Sequence, residues 1–254
     1  VMAVGMTFVI ITGGIDLTVG SVFGLAGVVI GICLQSNVSL AISILLGLLT
    51  GVLVGALNGL AITKIGLPPF IVTLSLMNIT RGMAQGFTSG SPIKIPDSLK
   101  ALAIGDFIGI PYTVCYMIVL AVIFSLILSK TVFGRQVYAL GGNEDAARLS
   151  GLNTTKLKVF VYAISGFLAA FAGIMTTARL GVAQSANGDG YEMDVIASVV
   201  IGGTSMTGGK GTIIGSLIGA VIMGVLRNGL VMLDVNAYWQ KVVIGSVIMG
   251  AVTM

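Results

Sequence analysis

The sequence predicts an all-α polytopic membrane protein: a Gly-rich helix bundle with broken (half) helices and a weak internal repeat. Three observations carry that prediction. Hydrophobic residues make up 56% of the chain and charged residues 9%, at a mean hydropathy of +1.08; a soluble domain carries about 25% charged residues. The apolar runs are continuous rather than alternating, and several reach the roughly 20 residues that a helix needs to cross the hydrocarbon. Glycine, at 37 of 254 residues, recurs at four-residue spacing inside those runs. The 13 basic and 9 acidic side chains cannot coat a soluble globule of this length. A soluble enzyme, a nucleic-acid-binding domain and a disordered chain are therefore excluded. A membrane β-barrel is excluded too, because its strands alternate apolar and polar over about 10 residues.

The elements follow in order. Residues 1–12 form a run too short to span alone, and it breaks at Gly13-Gly14-Ile15-Asp16. Residues 17–34 and 40–63 are full-length runs, the second ending at Lys64. Pro68-Pro69 punctuate, and residues 70–87 form a moderate run holding Asn78, Thr80 and Arg81. Residues 88–111 read as a loop, 112–129 as a span, 130–158 as the longest polar stretch, and 159–178 as another span. A polar loop at 179–194 leads to a half-length run, 195–201, that breaks at Gly202-Gly203. Residues 212–226 and 238–254 are apolar again. This gives six or seven full crossings and two or three half-spans. The chain opens and stops inside apolar runs, so it is expected to be a single transmembrane domain, 1–254, truncated at both ends.

Charge orients the bundle. Residues 130–158 carry Lys130, Arg135, Arg148, Lys156 and Lys158 against Glu144 and Asp145, whereas 179–194 carry Arg179 against Asp189, Glu192 and Asp194. The positive-inside rule places 130–158 in the cytoplasm and 88–111 and 179–194 outside. The absence of His removes His-based acid–base chemistry and His metal sites. Cys33 and Cys115 lie in apolar runs and read as small buried thiols.

Glycines 47, 51, 55 and 59, and Gly211, Gly215 and Gly219, form stripes at four-residue spacing, as do the pairs Gly20/Gly24 and Gly27/Gly31. Such stripes let helices approach closely in lipid. The segment Ile11-Thr-Gly-Gly-Ile-Asp-Leu-Thr-Val-Gly20 resembles Val200-Ile-Gly-Gly-Thr-Ser-Met-Thr-Gly-Gly209 at an offset of 189. Paired broken helices within internal repeats are a transporter device, although two glycine-rich surface loops would look the same. Gly-Gly-Lys-Gly-Thr at 208–212 lacks the full phosphate-loop pattern and follows no strand, so the chain itself holds no nucleotide site there. In the polar stretch, Asn143 suits an N-cap, Glu144 and Asp145 suit the positive end of the helix dipole, and Gly151 suits the C′ position. A short helix there could dock a soluble partner or lie on its own protein.

Five motifs now follow in order: Gly14-Ile-Asp-Leu-Thr-Val-Gly-Ser21, Ser89-Gly-Ser-Pro92, Gly134-Arg-Gln-Val-Tyr-Ala-Leu-Gly-Gly-Asn-Glu144, Arg148-Leu-Ser-Gly-Leu-Asn153 and Val200-Ile-Gly-Gly-Thr-Ser-Met-Thr-Gly-Gly-Lys-Gly211. On these the chain resembles the transmembrane permease of bacterial ABC importers for simple sugars, the ribose/xylose/galactose group. The resemblance implies a multi-pass protein of the plasma (inner) membrane, a homodimer with a second copy of the permease, two cytoplasmic ABC ATPase subunits and an extracytoplasmic sugar-binding protein. It implies no enzyme activity, cofactor or metal in this chain. It also implies that the cytoplasmic loop 130–158 carries the ATPase-coupling helix, with Gly142, Asn143, Glu144, Asp145, Ala146, Arg148 and Leu149 as its coupling residues.

Polar residues inside the membrane mark candidate path sites: Asp16, Asn58, Asn78, Thr80 and Arg81. Each has a structural alternative. Asp16 sits at a break, where capping the following helix competes with a path role, and Arg81 lies near a predicted helix end, where it can snorkel. The competing function is a secondary, ion-coupled transporter, which also uses repeats and broken helices. Asp16 is the one carboxylate clearly at a break, which is sparse for a coupling-ion site.

Overall fold

A computed structural model describes residues 1–253. The elements are α1 (Met2–Ile11), α2 (Thr18–Gln35), α3 (Leu40–Leu60, continued by a π-helical turn at Ala61–Ile65), α4 (Pro69–Thr88) and the short α5 (Asp97–Lys100). Then come α6 (Tyr112–Lys130), α7 (Val132–Gly142), α8 (Glu144–Leu149), α9 (Thr154–Leu180), α10 (Tyr191–Ile201), α11 (Ile213–Met232) and α12 (Ala237–Thr253). The expected last span coincides with α12, apart from its final residue, Met254, which lies outside the described residues. Strands β1 (Ile93–Lys94) and β4 (Val182–Ala183) pair antiparallel, as do β2 (Asp106–Phe107) and β3 (Ile110–Pro111).

Among the described residues, five helical segments are long and apolar enough to cross a membrane: α2, α3 with its π turn, α6, α9 and α11. That is fewer than the six or seven expected. α4 has the length but carries Ser75, Asn78, Thr80, Arg81 and Gln85. α10, at 11 residues, rises only about 16 Å at 1.5 Å per residue and is a half-length piece that the sequence predicts.

The centre is built by α2 and α9, with α1 pressed between them and the rest. Every residue of α1 from Ala3 to Ile11 is buried. α3 runs antiparallel to α9, and its glycine row faces that helix. A Cβ at Gly47 would lie 2.9 Å from Ile174 Cδ1; at Gly51 it would overlap the Gly166 carbonyl, at Gly55 the Tyr162 carbonyl, and at Gly59 it would lie 2.5 Å from Val159 Cα. The two backbones therefore touch along four turns, a distance only glycine permits. The opposite row, Leu45, Leu49, Leu53 and Leu57, is exposed. In water, such a face would be a large apolar patch; in lipid it is simply solvated.

The weak repeat is real in three dimensions. α1 breaks at Gly13-Gly14 and α10 at Gly202-Gly203, at the offset of 189 read from the sequence, and each break leads into a full helix, α2 or α11. α11 returns toward the start of α10, since Arg227 near its far end pairs with Asp194. Val1 and Met2 line the same cavity as Tyr191 and Asp194, so residues 1–2 and the start of α10 lie at the same end. The loop after the α10 break reaches the tip of α1: Gly209 N–H donates to the Ile11 carbonyl at 2.8 Å. Thr7 Oγ1 also donates to Ser216 Oγ at 2.7 Å, tying α1 to α11.

Candidate functional site

Three polar regions stand out against the apolar bundle. The first lies at the break between α1 and α2. Asp16 is fully buried. Its Oδ1 accepts from the Thr18 backbone N–H at 2.9 Å and the Thr18 hydroxyl at 2.5 Å, and its Oδ2 accepts from Ser165 Oγ at 2.8 Å. Asn58 Nδ2 donates to Thr18 Oγ1 at 2.9 Å, and Tyr162 Oη donates to the Ile15 carbonyl at 3.3 Å. Through Thr18 the network reaches Ser21, which donates to the Thr18 carbonyl at 3.0 Å and accepts from Thr80 at 2.6 Å. A broken helix frees backbone groups that lipid cannot satisfy; here Asp16 takes up the Thr18 N–H and Tyr162 of α9 the Ile15 carbonyl. Asp16 thus opens α2, as its position at the break suggests. Of the sequence candidates, Asp16, Asn58 and Thr80 meet in this one network. Asn78 does not: it is exposed, and its amide donates to the Leu74 carbonyl of its own helix at 3.0 Å.

The second region is charged and centres on Arg81, about 18 Å along α4 from Pro69 at 1.5 Å per residue. Its Nη1 pairs with Asp189, and its Nη2 lies 3.7 Å from Glu192 Oε2. The segment carrying these acids runs against α2. A Cβ at Gly20 would overlap Glu192 Oε2 and the Gly188 carbonyl, and one at Gly24 would lie 2.6 Å from the Asn187 carbonyl. The 179–194 stretch is therefore not simply a surface loop. Its second half folds inward along the glycines of α2, and Gly188 is buried there. Alongside, Asp194 and Arg227 pair at 2.9 Å, with the Arg227 guanidinium 5.9 Å from the Tyr191 ring centroid. Sequence reading missed Asp189, Glu192, Asp194 and Arg227 as site residues. Their signal was three acids within six positions, in a chain with only nine, directly before a half helix.

The third region is α8, at the end of the bundle where α9 begins. Asn143 Oδ1 accepts from Ala146 N–H at 2.9 Å, and Gly151 follows with φ +87°, the N-cap and C′ roles that the sequence assigns. Glu144, Asp145, Ala146, Arg148 and Leu149 are all exposed, Leu149 to 88%. Ala147 is the residue turned inward. Asp145 pairs with Arg148 at 2.8 Å, and Glu144 with Lys158 of α9 at 2.7 Å. Before α8, the polar stretch holds the amphipathic helix α7, which buries Gly134, Val137 and Leu140. Its last turn touches both helix breaks. A Cβ at Gly141 would overlap the Ile11 carbonyl and lie 2.6 Å from Gly209 N, and Tyr138 Oη donates to the Gly211 carbonyl at 2.7 Å.

Comparison with known proteins fits this architecture. Residues 1–252 match the family described as branched-chain amino acid transport system / permease component. The chain is 46% identical to the ribose import permease protein RbsC of Bacillus subtilis over 256 residues, covering 100% of this chain and 80% of that protein. It is 44% identical to the RbsC of Escherichia coli K12 over 257 residues, covering 99% and 80%. It is 35% identical to the autoinducer 2 import system permease protein LsrC of Salmonella choleraesuis over 250 residues, covering 98% and 72%. No solved structure matches. The chain belongs to this permease family: it is a membrane-embedded ABC transporter permease of the bacterial inner membrane, a transport component and not an enzyme.

Proposed function

We propose that the chain is the permease subunit of an ATP-driven importer that carries a monosaccharide such as ribose into the cytoplasm. The family description names branched-chain amino acids, whereas ribose import permeases match at 44–46% identity, above the 35% of the autoinducer 2 permease. The higher identity is the closer guide to cargo. The observation that carries the coupling half of the reading is α8: capped, exposed, and joined at both ends to helices that grip the breaks. In this reading α8 is the ATPase-coupling helix, residues 130–158 face the cytoplasm, and the single domain 1–254 pairs with a second copy. ATPase closure displaces α8 and biases the bundle between outward- and inward-open states. The sugar-binding protein delivers cargo at the opposite end, where β1 pairs with β4.

An ion-coupled transporter is the competing reading. It needs an open carboxylate at the break, and both oxygens of Asp16 are already hydrogen-bonded. The test is sugar uptake into proteoliposomes holding the full-length permease with its ATPase and binding protein. Uptake that requires internal-facing ATP and both partners supports the reading. Uptake that proceeds without the ATPase and follows a proton or sodium gradient overturns it.

A further inference from the structure

The Arg81 cluster is built like a ligand site. Glu192 is 6% exposed, and its Oε2 is buried without a hydrogen-bond partner. Arg81 Nη2, 3.7 Å away, is buried in the same condition, and so is Asn187 Nδ2 nearby. A separation of 3.7 Å is too long for a direct hydrogen bond, and an unmet buried polar atom costs about 1–3 kcal/mol. Asp189, the other partner of Arg81, is largely exposed and opens onto a cavity of about 410 Å³ whose walls also hold Asp194 and Arg227.

We propose that Asp189, Asp194 and Arg227 in the cavity wall, backed by the buried Arg81 and Glu192, form a contact site for a neutral polyhydroxylated ligand, the sugar in transit. The chemistry selects the ligand class. Guanidinium groups only donate hydrogen bonds and carboxylates only accept them. One hydroxyl can accept from Arg81 Nη2 and donate to Glu192 Oε2 at once, and a sugar offers several such groups in fixed relation. Both arginines already have carboxylate partners, so a carboxylate or phosphate ligand would have to displace a resident acid. With three carboxylates against two guanidiniums, the cluster also repels anions. Ionisable groups inside a membrane protein are costly and mark pathways; here the charges pair with one another, and passing hydroxyls would complete their hydrogen bonds. The placement of Gly20 and Gly24, which lets residues 187–192 reach α2, follows from the same need.

This inference rests on the sugar-importer reading, and its test separates the two. The assembled complex of full-length permease, ATPase and binding protein is reconstituted as wild type, Glu192→Gln and Asp189→Asn. Uptake of ribose and of its deoxy analogues is measured with the binding protein saturated by each, together with ATP hydrolysed per sugar moved. Expected is at least a tenfold loss of ribose uptake, a narrowed ribose-to-deoxyribose ratio, and binding-protein-stimulated ATP hydrolysis within about twofold of wild type. A purely structural ion pair would lower uptake and hydrolysis together and leave the ratio unchanged, which overturns the site. So does uptake within twofold of wild type in both variants. Should Glu192→Gln not accumulate in the membrane, Asp189→Asn gives the same readout, because that side chain is 69% exposed and packs little. Failure of the importer reading shows differently: wild-type uptake then does not need the ATPase at all.

Discussion

Gly141 gives the sharpest quantitative prediction. It is the penultimate residue of α7 and lies against Ile11 and Gly209, where the two helix breaks meet. In Gly141→Ala, the new methyl group overlaps the Ile11 carbonyl oxygen and approaches Gly209 N to 2.6 Å. It thereby wedges apart the 2.8 Å hydrogen bond between those two groups. Losing that bond costs about 0.5–1.5 kcal/mol, and the overpacking adds about 1–3 kcal/mol. Alanine in a helix returns about 0.4–1 kcal/mol. The net is a destabilisation of about 0.5–4 kcal/mol, and it falls on the contact between α7, which leads into α8, and both breaks. Gly86→Ala is the control: it is also a helical glycine, and its Cβ would meet nothing within 4 Å. Thermal inactivation of the purified full complex measures the stability term, and sugar moved per ATP hydrolysed measures transmission. Gly141→Ala should inactivate at a lower temperature than wild type and move less sugar per ATP, with Gly86→Ala matching or exceeding wild type. Equal behaviour of the two variants in both assays would refute the reasoning, because it would mean that the junction has slack.

Other perturbations separate packing from chemistry. Asp16→Ala strips three hydrogen-bond donors of their acceptor in a fully buried site, a cost of about 3 kcal/mol or more; permease abundance in membranes should fall steeply, and Asp16→Asn, which keeps an acceptor, should fall less. Gly51→Leu should separate α3 from α9 and abolish stable insertion, whereas Leu53→Ala, on the outward face of the same helix, should leave abundance near wild type. Tyr138→Phe removes the bond to the Gly211 carbonyl while keeping the ring, so it should cost about 1 kcal/mol in thermal inactivation and lower sugar moved per ATP less than Gly141→Ala does.

Much of this architecture is legible along the chain, because lipid imposes local rules. Broken runs, glycine rows and the capped hexamer at 144–149 are short-range patterns, and each corresponds to an observed element. The repeat at offset 189 is also local in its signature, and the structure adds what spacing cannot: the starts of α1 and α10 lie at the same end, and the loop after the second break touches the first. The charged cluster was hidden because its partners are distant. Arg81 and Asp189 are 108 residues apart, and nothing near either one indicates that Gly20 and Gly24 leave a gap through which 187–192 folds inward. α7 was obscured for another reason. Its charges and glycines gave the stretch a polar average, while the buried positions Val137 and Leu140 contact elements far away in sequence. Asn78 shows the limit of reasoning by residue type, since a polar side chain in an apolar run can bond its own backbone and face outward.

The central claim is that α8 passes the work of an ATPase to the helix breaks. The most direct test is sugar uptake by cells making the full-length permease with its ATPase and binding protein, comparing wild type with the Arg148→Glu, Leu149→Asp double variant. Both side chains are exposed, so the fold should tolerate the change. The account predicts that uptake is lost while the permease remains in the membrane at normal abundance and no longer co-purifies with the ATPase. Unchanged uptake with the ATPase still bound would contradict it.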